Sequence, residues 1–485
     1  MNRFSTWVTK AVANWQERRG AFPGGLTATP PAEQPDLSWV DEFIRNVGPY
    51  IFVRTEDNIL IKRPNQAQKL NAQGAQILKF LLDGGKVAGL VKGLGGDRGK
   101  LEQVALFLHG VRGFLEGHVT ADSAHPGVEV EVFSRHFSDL PILSEVAITY
   151  KCNLRCVFCY AGCNCTTQPV NDEKVMSVAE IKTVLDKLWH EGRVPSVSFT
   201  GGEPTLHKRL PELIAHAREL GMRVNLITNG TRINGELAQR LADAGLDSAQ
   251  VSLEGTSAEI HNLVTRGQSS FDRTVAAVGH LKSVGIRVHT NSTINRMNVH
   301  QMPDMPRFVR EVLDNERFSM NLLVPTGSAV VHPDLIVRYS EIGGWLEKIQ
   351  EQSKAHDVEF LWYSPTPMCM FNPIPAGLGN HGCSACDGLI SVAPNGSVIP
   401  CASYDDEVGS LLDNDLVKVW NSDKARGYRD KALAHPRCRE CSQFDICNGA
   451  CPLYWRELGF GELEARNGFD RAEARGYVHA GEDES

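Results

Sequence analysis

The first 151 residues contain no cysteine; all 13 cysteines lie between Cys152 and Cys451. No run approaches 18 uninterrupted apolar residues, so no membrane span is expected. Residues Met1–Leu26 are polar and charged throughout, without the apolar stretch and small-residue site of a secretory signal. A net charge of -8 leaves no global basic footprint, which argues against nucleic acid as the main partner. A recognisable nucleophile–base triad is also missing. Without an export signal, clustered cysteines read as metal ligands rather than disulfides, and the chain is assigned to a reducing cytoplasm. At 485 residues it is long enough for two to four domains.

The cysteines fall in two groups, five in 152–165 and eight in 369–451. The first begins Cys152-Asn-Leu-Arg-Cys156-Val-Phe-Cys159-Tyr160, just after Ser144–Thr149, which alternates like a strand. A cubane [4Fe–4S] cluster takes four thiolates, one per iron. Three thiols in one loop would leave an iron open to a small molecule, as catalytic metal sites do. A lone CxxC suits zinc or a redox pair equally well; this longer spacing, with Phe158 before the last cysteine, is more specific. Cys163 and Cys165 follow closely and read as bystanders.

From Ser144 to Val324 strands and helices alternate. The strands are expected at Ser144–Thr149, Ser196–Thr200, Arg223–Thr228, Ser248–Leu253, Arg287–Thr293 and Ser319–Val324, the helices at Ala179–His190, Lys208–Leu220, Gly235–Ala244, Phe271–Val284 and Met302–Leu313. Six βα units imply a parallel sheet with right-handed crossovers, either an open barrel or a doubly wound sheet. Polar and glycine-rich segments close several strands: Gly201-Gly202-Glu203-Pro204, Thr228-Asn229-Gly230, Ser252 and Glu254, then Asn291, Ser292 and Asn295. In the first of these, glycines let backbone approach a ligand, and an exposed carboxylate suits an ammonium group.

Upstream, Phe4–Arg19 reads as an amphipathic helix and Gly24–Pro35 as a linker. Residues 45–120 then give three short strands (Tyr50–Val53, Ile59–Lys62, Ala67–Leu70) and three helices (Ala72–Leu82, Val87–Leu94, Leu101–Leu115), with Gly84-Gly85 and Gly95-Gly96 as helix stops. This order is that of a small winged-helix-like module. Residues 1–120 are mildly basic, 15 Lys/Arg against 11 Asp/Glu. Downstream, a helix is expected near Glu341–Ala355 and a hairpin at Leu389–Val392 and Val398–Pro400 around Asn395-Gly396. Residues 456–485 read as a frayed polar tail.

The Cys152–Cys159 loop resembles the signature of the radical S-adenosylmethionine (SAM) superfamily. That resemblance implies a partial (β/α)6 barrel with functional residues at the strands' C-terminal ends. Cys152, Cys156 and Cys159 would hold the catalytic cluster. Phe158, Tyr160, Gly201, Gly202, Glu203, Pro204, Asn229, Ser252, Glu254 and Asn291 would line the SAM site. The eight later cysteines match Cx9Gx4C (Cys386 to Cys401) and Cx2Cx5Cx3C (Cys438 to Cys451), which resembles the SPASM domain and implies two auxiliary clusters. Cys386, Cys401 and Cys451 would share the nearer with Cys383 or Cys369; Cys438, Cys441 and Cys447 would hold the farther, its fourth ligand open. SPASM domains usually carry one more cysteine after the Cys451 position, and this chain has none. A zinc ribbon over Cys438–Cys451 stays a competing reading.

Residues 45–120 resemble the recognition element of enzymes that modify ribosomally made peptides, a module similar to the peptide chaperone of pyrroloquinoline-quinone synthesis. The resemblance implies a leader peptide added beside the third strand; a winged helix that only packs on the enzyme, or binds DNA, is the alternative. The segment Tyr363-Ser-Pro-Thr-Pro-Met-Cys369…Gly382-Cys-Ser-Ala-Cys-Asp-Gly also resembles maturases of the quinohemoprotein amine dehydrogenase small subunit, which install thioethers. The divisions expected are 1–40 helix and linker, 41–120 peptide module, 140–325 radical core, 326–365 bridge, 366–460 auxiliary-cluster domain and 461–485 tail. The function implied is a peptide maturase forming Cys thioethers, with three [4Fe–4S] clusters, SAM, a leader-bearing substrate, and a flavodoxin or ferredoxin as electron donor. Carbon–carbon cross-linking or decarboxylating maturation, formylglycine formation, tetrapyrrole processing and a non-enzymatic iron–sulfur scaffold are the alternatives.

Overall fold

Ile51–Arg54 (β1) and Ile59–Lys62 (β2) pair antiparallel around a tight turn in which Asn58 adopts a φ of 56°, a value Asn tolerates. The computed structural model describes residues 35–63, 66–116, 138–162, 175–379 and 382–469. The helix expected at Phe4–Arg19, nearly all of the linker Gly24–Pro35, Cys163, Cys165 and the chain beyond 469 lie outside the described residues. Two units emerge, Met1–Asp139 and Leu140–Ser485.

In the first unit Gln66–Lys69 (β3) adds to β2, giving the order β1-β2-β3. Helices Ala72–Leu82, Val87–Gly93 and Arg98–Glu116 follow, as expected, and a further helix, Val40–Val47, precedes the sheet. Asn71 caps the first of the three by accepting the Gly74 N–H at 2.7 Å. Val40, Ile51, Leu60, Leu78, Leu81, Leu90 and Leu108 form the core. At the turn, Arg54 clamps Asp57 through two bonds of 2.8 and 2.7 Å, with both side chains essentially sealed from solvent. The same pair holds the end of the unit: Arg54 donates to the Ser138 hydroxyl at 2.9 Å, and Asp57 accepts the Asp139 N–H at 3.2 Å.

The second unit is built on Leu143–Ala147 (β4), Ser196–Thr200 (β5), Arg223–Thr228 (β6), Ser248–Ser252 (β7), Arg287–Ile294 (β8) and Arg317–Leu322 (β9). They pair in parallel in strict sequence order. A doubly wound sheet would reverse order at a switch point; this one does not, and the fold is a partial (β/α)6 barrel. Helices Val178–His190, Leu210–Leu220, Gly235–Asp243 and Ser270–Ser283 match expectation, and Ala258–Thr265 is an extra one. The single helix expected at Met302–Leu313 is instead a 3-10 turn, Val299–Asp304, followed by the short helix Met305–Glu311. Pro303 and Pro306 lack the N–H donors that a continuous helix needs there.

The sheet extends beyond the barrel on both sides. Glu359–Trp362 (β10), read from sequence as part of a bridge, pairs parallel with β9. Leu389–Val392 (β11) pairs parallel with β4, and the hairpin continues through Ser397–Ile399 (β12) and Gly409–Ser410 (β13). The result is a ten-stranded sheet. The tail expected from residue 456 is helical as far as described: Pro452–Leu458 and Gly461–Asn467 pack through Leu453, Trp455 and Leu463. Glu462 secures the second helix by accepting the Ser340 N–H at 3.1 Å and the Tyr454 hydroxyl.

Alternation along the strands separates two faces. Val197, Phe199, Val224, Leu226, Ala249, Val251, Phe318 and Met320 belong to the buried core. The opposite face is polar and bonded to itself. Asn225 donates to Ser198 at 3.2 Å and accepts from Ser248 at 2.7 Å. Asn291 donates to Asn321 at 2.7 Å and accepts from Ser319 at 2.9 Å. A barrel interior is ordinarily filled by branched apolar side chains; here hydroxyls and amides line it.

Candidate functional site

The Cys152–Cys159 loop leaves the C-terminal end of β4 and is held by backbone on three sides. Toward β5, the Gly202 N–H donates to Thr149 O at 2.7 Å and the Glu203 N–H to Lys151 O at 2.9 Å. A Cβ on Gly202 would lie 2.5 Å from Lys151 O and 2.6 Å from Tyr150 O; on Gly201 (φ 142°) it would lie 2.0 Å from Thr149 O. The glycines thus admit the close approach of the chain's own loop. Toward the helix Ala258–Thr265, Arg155 and Val157 donate to Thr265 O and Val264 O at 3.2 and 3.0 Å. From beyond β9, Ser328 N–H donates to Cys159 O at 2.8 Å, and Gly327 (φ 57°) comes so close that a Cβ would lie 2.2 Å from Tyr160 O. The barrel is open between β4 and β9, and this last contact bridges the gap at its mouth.

Glu203 departs from expectation. It is fully buried, not exposed, and its carboxylate is occupied by the chain itself. It accepts from Thr205 N at 3.0 Å, Thr228 Oγ1 at 2.8 Å and Asn229 N at 2.8 Å, tying the end of β5 to the end of β6. Pro204, also buried, starts the 3-10 turn Pro204–Leu206 beside it. Burial raises the Glu203 carboxyl above the ordinary range, with these donors opposing the shift. Asn229 reaches back: its side-chain amide lies 3.9 Å from Cys152 Sγ and donates to Asn153 Oδ1 at 3.1 Å. Asn153 in turn donates to Thr231 at 2.8 Å. Neither Asn153 nor Thr231 stood out in the sequence.

Glu254 is buried beyond β7, accepts the Thr293 N–H at 2.8 Å, and is raised by burial to about 8. Its own N–H donates to His261 Nδ1 at 3.1 Å. It acts electrostatically on Cys156, so the two lie close. Ser252 ends β7 half-buried; Ser292, Asn291 and Asn295 have their polar groups engaged within the protein, Asn295 in the turn after β8. Phe158 packs against the core and Tyr160 lines a cavity beside β4.

No disulfide joins the three loop thiols among the described residues, and they act electrostatically on one another. Burial pushes Cys152 up to about 11, with Glu203 and Cys159 adding and the Leu154 N–H, 3.4 Å from its sulfur, opposing. Burial also drives Cys156 well above the ordinary thiol range, reinforced by Cys159, Glu254 and Cys152. Three buried thiolates repel unless a cationic centre lies among them, which is what an iron–sulfur cluster supplies.

The later cysteines sort into two neighbourhoods. Burial raises Cys401, then Cys383 and Cys451 add; burial also raises Cys451 and Cys386, each to about 12, with Cys383 adding. Lys431 and Arg429 oppose this for Cys386. Both are buried and grip the loop: Lys431 Nζ donates to Cys383 O at 2.6 Å and Asp387 at 2.7 Å, and Arg429 Nε to Cys386 O at 3.1 Å. The second neighbourhood contains Cys369. Burial raises Cys438 to about 12, with Cys447, Cys369 and Cys441 adding, and Cys447 and Cys441 act on Cys369. Asn467, on the last described helix, approaches Cys369 Sγ to 3.5 Å. Among the described residues no group of three or more His, Cys, Asp or Glu side chains is arranged to hold a single metal ion. A cubane spreads its thiolates, one per iron.

Comparison with known proteins agrees with this picture. Residues 146–309 match the radical SAM superfamily model and residues 383–442 the iron-sulfur cluster-binding domain called SPASM. A mycofactocin maturase of Mycobacterium tuberculosis is 30% identical over 333 residues, covering 66% of this chain and 81% of that protein. An Fe-coproporphyrin III synthase of Methanosarcina barkeri is 30% identical over 336 residues, covering 62% and 81%. A PqqA peptide cyclase of Bradyrhizobium diazoefficiens is 26% identical over 330 residues, covering 64% and 81%. In fold, the chain is similar to Streptococcus suis SuiB bound to S-adenosylmethionine, with a TM-score of 0.62 and 19% identity over 83% of this chain and 94% of that one. The chain therefore belongs to the radical SAM superfamily, as an enzyme of SAM and iron–sulfur chemistry that carries a SPASM domain.

Proposed function

We propose that the protein is a peptide maturase that binds a leader-bearing substrate through residues 45–120 and forms thioether cross-links from its cysteines. The observation that carries this reading is the first unit. Among the described residues its β3 is bonded to β2 on one side only, so its other edge can take an added strand, which is how extended peptides are recognised by β-augmentation. One relative is by name a peptide cyclase, acting on PqqA, and another is by name a maturase, of mycofactocin.

In this reading Cys152, Cys156 and Cys159 hold the SAM-binding cluster. Cys383, Cys386, Cys401 and Cys451 hold one auxiliary cluster, and Cys369, Cys438, Cys441 and Cys447 the other, so Cys369 takes the place of the cysteine missing after Cys451. When bound, SAM on a reduced four-iron cluster supplies a 5′-deoxyadenosyl radical able to abstract hydrogen from an unactivated carbon. The chain supplies position and exclusion of water. Gly201 and Gly202 seat the loop, Asn229 sets Cys152, Glu254 sits beside Cys156, and Phe158, Tyr160, Pro204, Ser252 and Asn291 surround the mouth. A flavodoxin or ferredoxin in a cytoplasmic setting would be the reductant.

The test is anaerobic incubation of reconstituted protein with SAM, a reductant and the cysteine-containing polypeptide encoded beside it, followed by intact mass and fragmentation. Loss of two hydrogens per bridge, with fragmentation gaps between a cysteine and its partner, is expected. Deoxyadenosine with an unchanged peptide would rule that substrate out. A second reading, tetrapyrrole processing, is favoured by the haem and coproporphyrin relatives; haem or iron coproporphyrin bound by the purified protein would support it.

A further inference from the structure

Two buried cations grip the Cys383–Cys386 loop, and only one of them is neutralised. Lys431 Nζ lies 2.7 Å from Asp387 Oδ2, with 4% of the lysine side chain exposed. Arg429, 7% exposed, has no such partner. Its Nε donates to Cys386 O at 3.1 Å and its Nη2 to Trp420 O at 2.9 Å, and its Cζ lies 4.6 Å from the centre of the Trp420 ring. Both acceptors are neutral carbonyls, and among the described residues no carboxylate stands within ion-pair distance of this guanidinium. Arginine cannot escape burial by shedding its proton, and a buried charge without a counter-charge is strongly unfavourable.

The counter-charge on offer is a thiolate. Burial weakens the guanidinium's hold on its proton; Cys386 is the first group to sustain its charge, ahead of Asp387 and Asp430, with Arg426 opposing. The relation is mutual, since Arg429 precedes Lys431 among the groups that favour the Cys386 thiolate. The contact is also fixed in place. Cys386 holds a φ of 50°, which a non-glycine residue keeps only where its neighbours enforce it. Here Arg429 binds its carbonyl, and its N–H donates to Pro400 O at 3.2 Å. The other neighbourhood shows no counterpart: the charged groups acting on Cys438 are Cys447, Cys369 and Cys441.

We propose that Arg429 is a potential-setting residue, its buried guanidinium serving as counter-charge to the cluster held by Cys383, Cys386, Cys401 and Cys451 and making that cluster easier to reduce. Net charge is one of the levers on the potential of an iron–sulfur centre. Reduction adds one negative charge to the cluster, so a fixed cation beside a ligand favours the reduced state, and burial leaves the attraction little screened. Sealed behind Trp420, Arg429 acts through the cluster and not on the substrate. The inference rests on the assignment of those four cysteines to one cluster, and holds whichever substrate the enzyme modifies.

The experiment is a redox titration, followed by electron paramagnetic resonance, of the reconstituted full chain with Cys152, Cys156 and Cys159 all replaced by Ala, so that only the auxiliary clusters titrate. In that background Cys401→Ala identifies the signal of the Cys383 neighbourhood as the one it abolishes or converts. Three variants are then compared: Arg429→Gln, which removes the charge and keeps a donor; Arg429→Lys, which keeps the charge; and Asp387→Asn, which leaves Lys431 uncompensated. Arg429→Gln is expected to lower the reduced-to-oxidised ratio of that cluster at a fixed potential by about tenfold, equivalent to about 59 mV for one electron. Arg429→Lys should restore the ratio to within about threefold, Asp387→Asn should raise it, and the other auxiliary signal should stay within about threefold throughout. An unmoved ratio in Arg429→Gln, equal movement of both signals, or a fall in Arg429→Lys as large as in Arg429→Gln overturns the inference. If Arg429→Gln fails to retain iron, Asp387→Asn decides, and a ratio that does not rise overturns it. Loss of iron in both variants makes the two residues structural and overturns it as well. If Cys401→Ala does not alter one of the two signals alone, the ligand assignment falls, and this inference with it.

Discussion

Gly202→Ala is the substitution whose outcome the geometry constrains most tightly. An added Cβ would stand 2.5 Å from Lys151 O and 2.6 Å from Tyr150 O, both backbone atoms that cannot rotate away. Side-chain carbons do not approach within 3.0 Å, so the loop must retreat by at least 0.5 Å, the difference between 3.0 and 2.5. Lys151 immediately precedes Cys152, so the displacement is delivered to the first cysteine of the cluster loop. Overpacking of this kind costs about 1–3 kcal/mol, and the protein should still fold. Misplacement of reacting groups by around 1 Å costs on the order of 100-fold in rate, and a somewhat smaller shift should cost at least tenfold. The assay is deoxyadenosine formation by reconstituted protein, with iron content and thermal unfolding measured on the same sample. Gly221→Ala is the matched control. Gly221 has a φ of 98° and caps the helix Leu210–Leu220, and its Cβ would meet Trp189 at 3.1 Å, so it loses stability without touching the loop. Equal deoxyadenosine rates for Gly202→Ala and wild type, at equal iron, would refute the idea that these glycines exist to seat the loop.

Four further outcomes follow from the described contacts. His261 is held near 4 by burial while an unfolded histidine titrates near 6.5, so the unfolded state binds more protons between these values. Its contribution, at most roughly 3 kcal/mol, is therefore present above pH 6.5 and lost as pH falls toward 4; denaturant midpoints at pH 7 and 5 should converge in His261→Gln. Asp57→Asn leaves Arg54 buried without its counter-charge and should destabilise the first unit by about 3–5 kcal/mol, read by hydrogen exchange of β1 and β2. Cys369→Ser should lower iron from about 12 per chain, three cubanes of four, and leave the spectrum of the SAM-binding cluster intact. Retention of full iron would remove Cys369 from the ligand set. Tyr404 is 6% exposed, its hydroxyl has no hydrogen-bond partner among the described residues, and Cys383, Cys451 and Cys401 act on it electrostatically. Tyr404→Phe should shift the potential of the cluster held there to more negative values, because hydrogen bonds to sulfur help set it; an unchanged potential would mean the hydroxyl points elsewhere.

Periodicity alone located most elements, because amphipathic repeats and glycine stops are local signals. Ser196–Thr200, Arg223–Thr228, Ile59–Lys62 and Ala72–Leu82 begin and end where the residues suggest. The misreadings have specific causes. Pro303 and Pro306 divide what looks apolar-periodic through Met302–Leu313. Glu203 looks like a ligand-facing acid because Thr205, Thr228 and Asn229, which consume its carboxylate, become its neighbours only after β5 and β6 pair. Cys369 could not be allotted from spacing, since its neighbours Cys438, Cys441 and Cys447 lie some seventy residues on.

That same β11 has an engineering consequence. Because it continues the barrel sheet directly from β4, the C-terminal cysteine region is not a bead on a string that can be exchanged between relatives at a linker. A graft must preserve hydrogen-bond register, since a slip of one residue would turn Ser391 away from Glu145 and present Ile390 or Val392 instead. A chain terminated after β10 would expose β4 as a raw edge, prone to pairing with other copies. Modular transplantation should therefore be attempted only with β4 and the hairpin moved together.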